Sequence, residues 1–143
     1  MLSGPVIGDA SEAIIAASPD FRGAWERFKA SDRFGPDEPY NHLGELAQHL
    51  VDAMKLGKVD GFAPVFAEVE NQLVKASPEA RDLIIVGFLE DLQNISENQG
   101  VPKTAWTPWL GPKTAEAWKV LDDMWQGRLS PDDFNSFVSG KGE

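Results

Sequence analysis

The chain has 143 residues, of which 42% are hydrophobic and 10% aromatic, so it can bury the core of one domain but is too short for a (β/α)8 barrel. It contains no cysteine, which excludes disulfides, thiolate metal sites and cysteine nucleophiles. Its formal net charge of -10 disfavours binding to nucleic-acid phosphates and to anionic membranes, and it favours basic protein partners.

The start of the chain lacks the features of a targeting segment. It has no positively charged region, and its apolar runs are too short for a signal peptide or a membrane span. We therefore expect a cytoplasmic protein that does not bind membranes. A single helical domain is predicted over residues 1–143, with frayed ends at residues 1–10 and 139–143.

Helical periodicity with N-terminal capping signals begins early in the chain. A first helix is predicted after Ser18-Pro19, a second from Asn41 to Gly57, and a third from Asp60. The second helix has apolar residues at i, i+3, i+4, i+7, i+8 and i+11, which matches one face of a 3.6-residue period. These residues are Leu43, Leu46, Ala47, Leu50, Val51 and Met54.

The fourth predicted helix, from Ser77-Pro78 to Gly100, is apolar on two sides, which is typical of the centre of a bundle. Glu90 and Asn94 lie at i, i+4 on its second side, where buried polar groups need partners. We predict that this pair ties the helix to a neighbouring segment. The alternative is a polar site for a ligand or partner.

The last third of the chain continues the helical pattern. A break at Gly111-Pro112 precedes a helix over residues 113–126, and Ser130-Pro131 starts a last short helix. No strand alternation, hairpin turn or internal repeat is evident. The predicted fold class is therefore all-α: six or seven short helices in a single irregular bundle or in stacked antiparallel pairs.

One polar stripe on the second helix has residue types that bind metals. His42, Glu45, His49 and Asp52 fall within an arc of about 80° at 100° per residue. However, the two histidines lie roughly 10 Å apart along the helix axis, so they cannot bind one ion together. We therefore predict a solvated face with His–carboxylate pairs, with no metal and no cofactor.

The tryptophans of the C-terminal half form the main aromatic cluster. Trp118 and Trp125 are spaced i, i+7 on a helix and are expected to be buried. Trp106 and Trp109 lie in an irregular stretch with threonine and proline, and they are expected to be the exposed pair. Because tryptophan is a strong interface anchor, the exposed pair is a candidate partner-binding element.

The negative charge is concentrated in the middle of the chain. Residues 34–100 contain twelve acids and four bases, a net charge of -8, whereas the flanks are nearly balanced. An acidic central region with aromatic neighbours is typical of a protein that covers a basic surface. Solvated helix faces would give the same count.

Three segments carry a resemblance to a known group of proteins. The central helix SPEARDLIIVGFLEDLQN, the preceding NHLGELAQHLVD and the following WLGPKTAEAWKVLDDMW resemble a family of small, acidic, all-helical bacterial proteins. Members of that family are similar to immunity proteins of polymorphic-toxin, contact-dependent and type VI competition systems. The resemblance covers roughly residues 20–126 and implies a toxin-neutralising role. It brings no catalytic residues with it.

The leading hypothesis is a non-enzymatic immunity protein, or antitoxin, that binds and occludes a basic secreted toxin. A nuclease fits the charge best, because it must itself be basic to hold phosphate. The oligomeric state is left open. The side chains expected to contact the toxin are Asp37, Glu38, Glu45, Asp52, Trp106 and Trp109.

Two other classes of function remain open. One is a helical scaffold or regulator that binds a cellular protein through an apolar groove, in which case charge reversal at Asp37, Glu38 and Glu45 would leave binding intact. The other is an enzyme or metal protein that uses the stripe from His42 to Asp52.

Overall fold

The structure is a computed structural model, and it describes residues 7–140. These residues form eight α-helices and no strand, so the predicted all-α fold is confirmed, with one or two helices more than predicted. The helices are α1 (Ile7–Ala16), α2 (Arg22–Lys29), α3 (Pro39–Lys55), α4 (Phe62–Lys75), α5 (Pro78–Ile84), α6 (Asp91–Asn98), α7 (Pro112–Trp125) and α8 (Pro131–Ser139).

Two short segments form 3-10 helices rather than α-helices. Pro19–Phe21 and Lys103–Trp109 are 3-10 helices, which precede α2 and α7 respectively. None of the helices within residues 7–140 has the length and hydropathy needed to cross a membrane.

Helix α1 and the chain ends differ from the expectation. No helix was predicted before Ser18, yet residues 7–16 form α1, whose Ile14 is fully buried. Residues 7–10 and Ser139 were predicted to fray and instead belong to α1 and α8, and Gly140 caps the end of α8. The rest of the predicted frayed ends, residues 1–6 and 141–143, lies outside the described residues.

Serine caps and glycine stops set several helix ends as predicted. The Ser77 hydroxyl accepts the backbone N–H of Ala80 at 3.1 Å, and the Ser130 hydroxyl accepts that of Asp133 at 3.1 Å. Gly57 and Gly100 follow α3 and α6 with φ of +73° and +79°, a left-handed conformation that glycine adopts without strain.

Two predicted helix caps, Asn41 and Asp60, differ from the observed ones by three residues and by one residue respectively. Helix α3 begins at Pro39, with Glu38 at the capping position, rather than at Asn41, because proline is favoured in the first helical turn. Helix α4 begins at Phe62 after Gly61, so Asp60 lies outside it. Both errors concern the ends of helices that were otherwise predicted correctly.

The central helix spans residues 78–98 and packs against α1, α3, α4, α7 and α8. Its middle, Ile85–Glu90, is a π turn between α5 and α6. In a π turn a backbone N–H bonds the carbonyl five residues earlier, so the turn holds one residue more than an α-helical turn. Side chains after the turn therefore point in directions that differ from those predicted at 100° per residue. The sequence pattern gave no indication of this turn.

The polar tie from the central helix was assigned to the wrong residue. Asn94 is exposed, whereas its neighbour Gln93 is fully buried and donates its side-chain N–H to the carbonyl of Trp118 at 3.1 Å. Glu90 is only partly buried. The prediction that Glu90 and Asn94 tie the central helix to a neighbour is therefore wrong for Asn94, and Gln93 makes the tie to α7.

The tryptophan assignments are wrong for two residues and right for one. Trp106 is 0% exposed, stacks on Phe62 with ring centroids 5.3 Å apart, and donates its indole N–H to Ser96 at 2.9 Å. Trp125 is 53% exposed, whereas Trp118 is buried as predicted. The buried face of α7 consists of Thr114, Ala117, Trp118 and Leu121.

Helix α7 is held to α4 by a carboxylate that caps its N-terminus. Glu70 accepts the backbone N–H groups of Lys113 and Thr114 at 3.0 and 2.9 Å, and the Thr114 hydroxyl at 2.8 Å. Burial raises the pKa of Glu70, but these hydrogen bonds and the nearby Lys113 charge outweigh burial, so the pKa lies below its ordinary value.

We expect Glu70→Ala to lower the free energy of unfolding by about 2 kcal/mol, because it leaves helix N–H groups without an acceptor. Since the pKa of Glu70 is depressed, this contribution is present above the ordinary pKa and is lost as the pH falls through the folded pKa. Urea unfolding at several pH values measures both effects. The control is Glu68→Ala, because among the described residues Glu68 bonds only Asn71 and Gln72 of its own helix; an equal loss in both variants would contradict the capping role.

Candidate functional site

The four residues of the predicted polar stripe on α3 do not form one site. His42 is buried rather than solvated: its Nε2 lies 2.7 Å from the carbonyl oxygen of Gly35. Glu45 pairs with Arg33 at 3.0 Å. Within residues 7–140, no group of three or more histidine, aspartate or glutamate side chains is placed to hold a metal ion.

The other two members of the stripe also differ from the expected His–carboxylate pairs. The His49 ring lies against that of Phe21, with centroids 5.1 Å apart. Burial lowers the pKa of His49, and the charges of Asp20 and Asp52 partly oppose this. Asp52 accepts a hydrogen bond from Gln48 at 2.9 Å and lies 3.9 Å from Lys55.

The proposed partner-binding residues are separated in the structure. Asp37 and Glu38 are exposed before α3, and Asp52 is exposed near its other end. Trp106 is in the core and cannot touch a partner, so its assignment to the binding surface is wrong. Trp109 is half-buried, with its ring 5.1 Å from that of Phe62 on α4.

A different group of side chains gathers around the π turn. The ring of Tyr40, at the start of α3, lies on Gly87: a Cβ built on this glycine would come within 2.7 Å of the ring. The Tyr40 hydroxyl donates to the Asp82 carboxylate. Burial, and then the hydrogen bond and charge of Asp82, raise the pKa of Tyr40 to about 12.

Two further carboxylates lie at the end of the π turn. Burial, followed by the charges of Asp91 and Asp82, raises the pKa of Glu90, and a hydrogen bond from the exposed Trp125 indole partly offsets the rise. Burial also raises the pKa of Asp91. We call Tyr40, Asp82, Glu90, Asp91 and Trp125 the π-turn cluster.

The carboxylates of the π-turn cluster lack a cation of their own. None of the lysine, arginine or histidine side chains in the described part of the chain forms an ion pair with Asp82, Glu90 or Asp91. The nearby Arg33 is bound to Glu45, and Arg81 donates to the Phe137 and Val138 carbonyls of α8 at 2.7 and 3.0 Å.

This arrangement is chemically suited to a cation from outside the chain. Half-buried carboxylates form stronger charge-assisted hydrogen bonds than fully solvated ones, and exposed tyrosine and tryptophan rings add cation–π attraction. Tyr40 and Trp125 are two of the four large hydrophobic side chains exposed in the described residues, together with Leu56 and Val74. A guanidinium or ammonium group of a protein partner fits this chemistry.

Sequence reasoning missed Tyr40, Asp82, Asp91 and Trp125 as members of one site. One signal was present: a glycine inside an otherwise apolar helix usually has a packing reason, and Gly87 interrupts the central helix. The aromatic ring that covers Gly87 comes from α3, more than forty residues earlier, so its identity depends on the tertiary fold.

The raised pKa of Glu90 predicts that Glu90→Gln stabilises the fold at neutral pH. The folded state binds the proton more tightly than the unfolded chain, so this contribution is fully present below the ordinary pKa and is lost as the pH rises through the folded pKa. We expect a gain of about 0.5 kcal/mol at pH 7 that disappears near pH 3.5, measured by urea unfolding.

The matched control for this prediction is Glu116→Gln. Glu116 is an exposed residue of α7 that forms no ion pair among the described residues. This control should leave the free energy of unfolding unchanged at both pH values. If Glu90→Gln lowers the free energy of unfolding at pH 7, the Glu90 carboxylate stabilises the fold, and the prediction is wrong.

Comparison with known proteins gives one family and no activity. A protein-family model described as Domain of unknown function (DUF7674) matches residues 11–126 of the chain, which include every helix that carries the π-turn cluster. No curated protein and no solved structure matches the chain significantly.

Proposed function

The chain belongs to the DUF7674 family, and we propose that it is an immunity protein that binds a basic secreted toxin in the cytoplasm and occludes it. The toxin would belong to a bacterial competition system of the polymorphic-toxin or type VI kind, and a nuclease fits the charge best. No reaction, cofactor, nucleic acid or membrane takes part in this role.

The observation that carries the proposal is the π-turn cluster. Natural domains normally place buried or half-buried carboxylates next to an internal cation. Here Asp82, Glu90 and Asp91 have none among the described residues, and two exposed aromatic rings lie beside them. Charged groups that lower stability without an internal partner are typical of binding sites.

The net charge of the protein supports the same role. A net charge of -10 attracts a basic toxin over a distance of about 10 Å and accelerates its encounter. The exposed acids Asp37, Glu38 and Asp52 contribute to this attraction. In this proposal they steer the toxin towards the protein, while Tyr40 and Trp125 replace Trp106 and Trp109 as the aromatic anchors of the contact.

Co-expression with the cognate toxin tests the proposal directly. The gene immediately upstream of the coding sequence is expected to encode a large secreted protein with a C-terminal toxin domain. Expression of that domain should arrest bacterial growth, and co-expression of the wild-type chain should restore it. Absence of any toxin gene there, or continued arrest with soluble wild-type protein present, would contradict the proposal.

The salt dependence of binding separates this function from a scaffold that uses an apolar groove. Affinity for the toxin should fall at least tenfold between about 0.1 M and 0.5 M salt, mainly through the association rate. Charge reversal at Asp82 and Glu90 together should have a similar effect. An affinity that neither added salt nor the charge reversal alters would instead favour a scaffold that binds through an apolar groove.

A further inference from the structure

A separate cavity of about 770 Å³ lies between α1, α2 and the segment that leads into α3. Its lining includes Trp25 and Phe34, whose rings meet edge to face with centroids 6.0 Å apart. The His42 ring completes the lining: it stacks on Phe34 at 5.0 Å and meets Trp25 edge to face at 5.2 Å. Aromatic cavities of this size are typical of small-molecule sites.

Two polar side chains that line this cavity each have an atom without a hydrogen-bond partner among the described residues. Ser18 is 4% exposed, and its hydroxyl neither caps the following helix nor bonds to any other group in the described residues. Because Ser18 lines the cavity, its hydroxyl is available to a bound molecule.

His42 offers the second unused group. It is 7% exposed, and its Nε2 lies 2.7 Å from the Gly35 carbonyl oxygen, which can only accept, so Nε2 carries the proton. In the neutral ring Nδ1 is then an acceptor, and it has no hydrogen-bond partner among the described residues. A ligand that satisfies His42 must therefore donate a hydrogen bond.

The charges around the cavity favour a neutral or positively charged ligand. Among the lining residues Asp9, Glu12, Glu26 and Asp37 are acidic, whereas Arg22 and Lys29 are basic. Lys29 is bound to Glu26 at 3.1 Å, and Asp37 is exposed with no ion pair among the described residues. An anion would meet a net negative rim.

We propose that this cavity binds a small planar nitrogen heterocycle that carries N–H donors and a neutral or positive charge. The ring lies against Trp25 and Phe34, an N–H donates to Nδ1 of His42, and the Ser18 hydroxyl bonds a second polar atom. Asp37 attracts the positive charge at the rim. This site is independent of the π-turn cluster, and it adds a small-molecule ligand to the toxin-binding role.

The test is a titration of the full chain with 2-aminobenzimidazole, followed by proton–nitrogen NMR spectra. We expect saturable binding with a Kd of about 1 mM or tighter, with the largest shifts at the Trp25 indole. The planar anion 2-naphthoate should bind at least tenfold more weakly, because of the negative rim. No saturation by 2-aminobenzimidazole, or stronger binding of 2-naphthoate, would overturn the proposal.

Three variants locate the binding. Trp25→Leu should weaken 2-aminobenzimidazole at least tenfold, and Ser18→Ala and Asp37→Asn about threefold each. Val74→Ala, at an exposed residue of α4 outside both the cavity and the π-turn cluster, should leave the affinity unchanged. Asp37 is exposed, so Asp37→Asn keeps the test decisive even if Trp25→Leu unfolds. Unchanged affinity in the folded cavity variants would show that the probe binds elsewhere.

Discussion

Trp106→Ala is expected to lower the free energy of unfolding by about 3–5 kcal/mol, the largest effect of any single change considered for this protein. The side chain is completely buried, and its ring stacks on Phe62 and lies 6.0 Å from that of Phe66. Its removal leaves a cavity between α4 and α6 and takes away the indole N–H that the Ser96 hydroxyl accepts. Urea unfolding followed by circular dichroism measures the loss.

Because a domain of this size has a total stability of only about 5–15 kcal/mol, the alanine variant is expected to be marginally folded. Trp106→Phe provides an intermediate case, since it keeps an aromatic ring in the core but loses the indole N–H and part of the ring volume; we expect a loss of about 1–2 kcal/mol. A loss below about 1 kcal/mol for Trp106→Ala would mean that the ring does not pack in the core, and would restore its assignment to the partner surface.

Trp125→Ala is expected to weaken toxin binding at least 30-fold while leaving the free energy of unfolding within about 1 kcal/mol of wild type. The indole is 53% exposed and bonds to the half-buried Glu90. An aromatic ring over unneutralised carboxylates is the arrangement that a partner's arginine or lysine fills. Isothermal titration with the purified toxin domain measures the affinity.

Leu56→Ala is the matched control for this prediction. Leu56 is also a large exposed hydrophobic residue, but it follows the C-terminal end of α3, roughly 24 Å from Tyr40 along the helix. This variant should bind the toxin with wild-type affinity. If Trp125→Ala binds the toxin as tightly as Leu56→Ala does, the π-turn cluster is not the contact surface. The immunity function would then require a different contact surface.

Trp106 and Trp125 are predicted to have opposite roles, one in stability and the other in binding. Trp106 stabilises the fold and has no access to a partner, whereas Trp125 contributes little to the fold and is accessible. Glu90→Gln should likewise stabilise the protein at pH 7 while weakening toxin binding. A site that lowers stability when its partner is absent is consistent with selection for binding.

Local chemistry determined most of the fold from the sequence alone. Serine followed by proline at residues 77–78 and 130–131 marks helix starts that the structure confirms, because a serine hydroxyl accepts a backbone N–H that the helix leaves unpaired. Gly57 and Gly100 mark helix ends, because both adopt positive φ. Apolar spacing in α3 identified its buried face correctly.

The candidate site was decided by tertiary structure. The π turn in the central helix packs against α3 and α7, and after it Gln93 rather than Asn94 is buried. Whether a tryptophan is buried depends on which helix covers it, and α4 covers Trp106 while leaving Trp125 exposed. Sequence periodicity reports the apolar face of one helix, whereas a site built from α3, the π turn and α7 exists only once these elements are packed together.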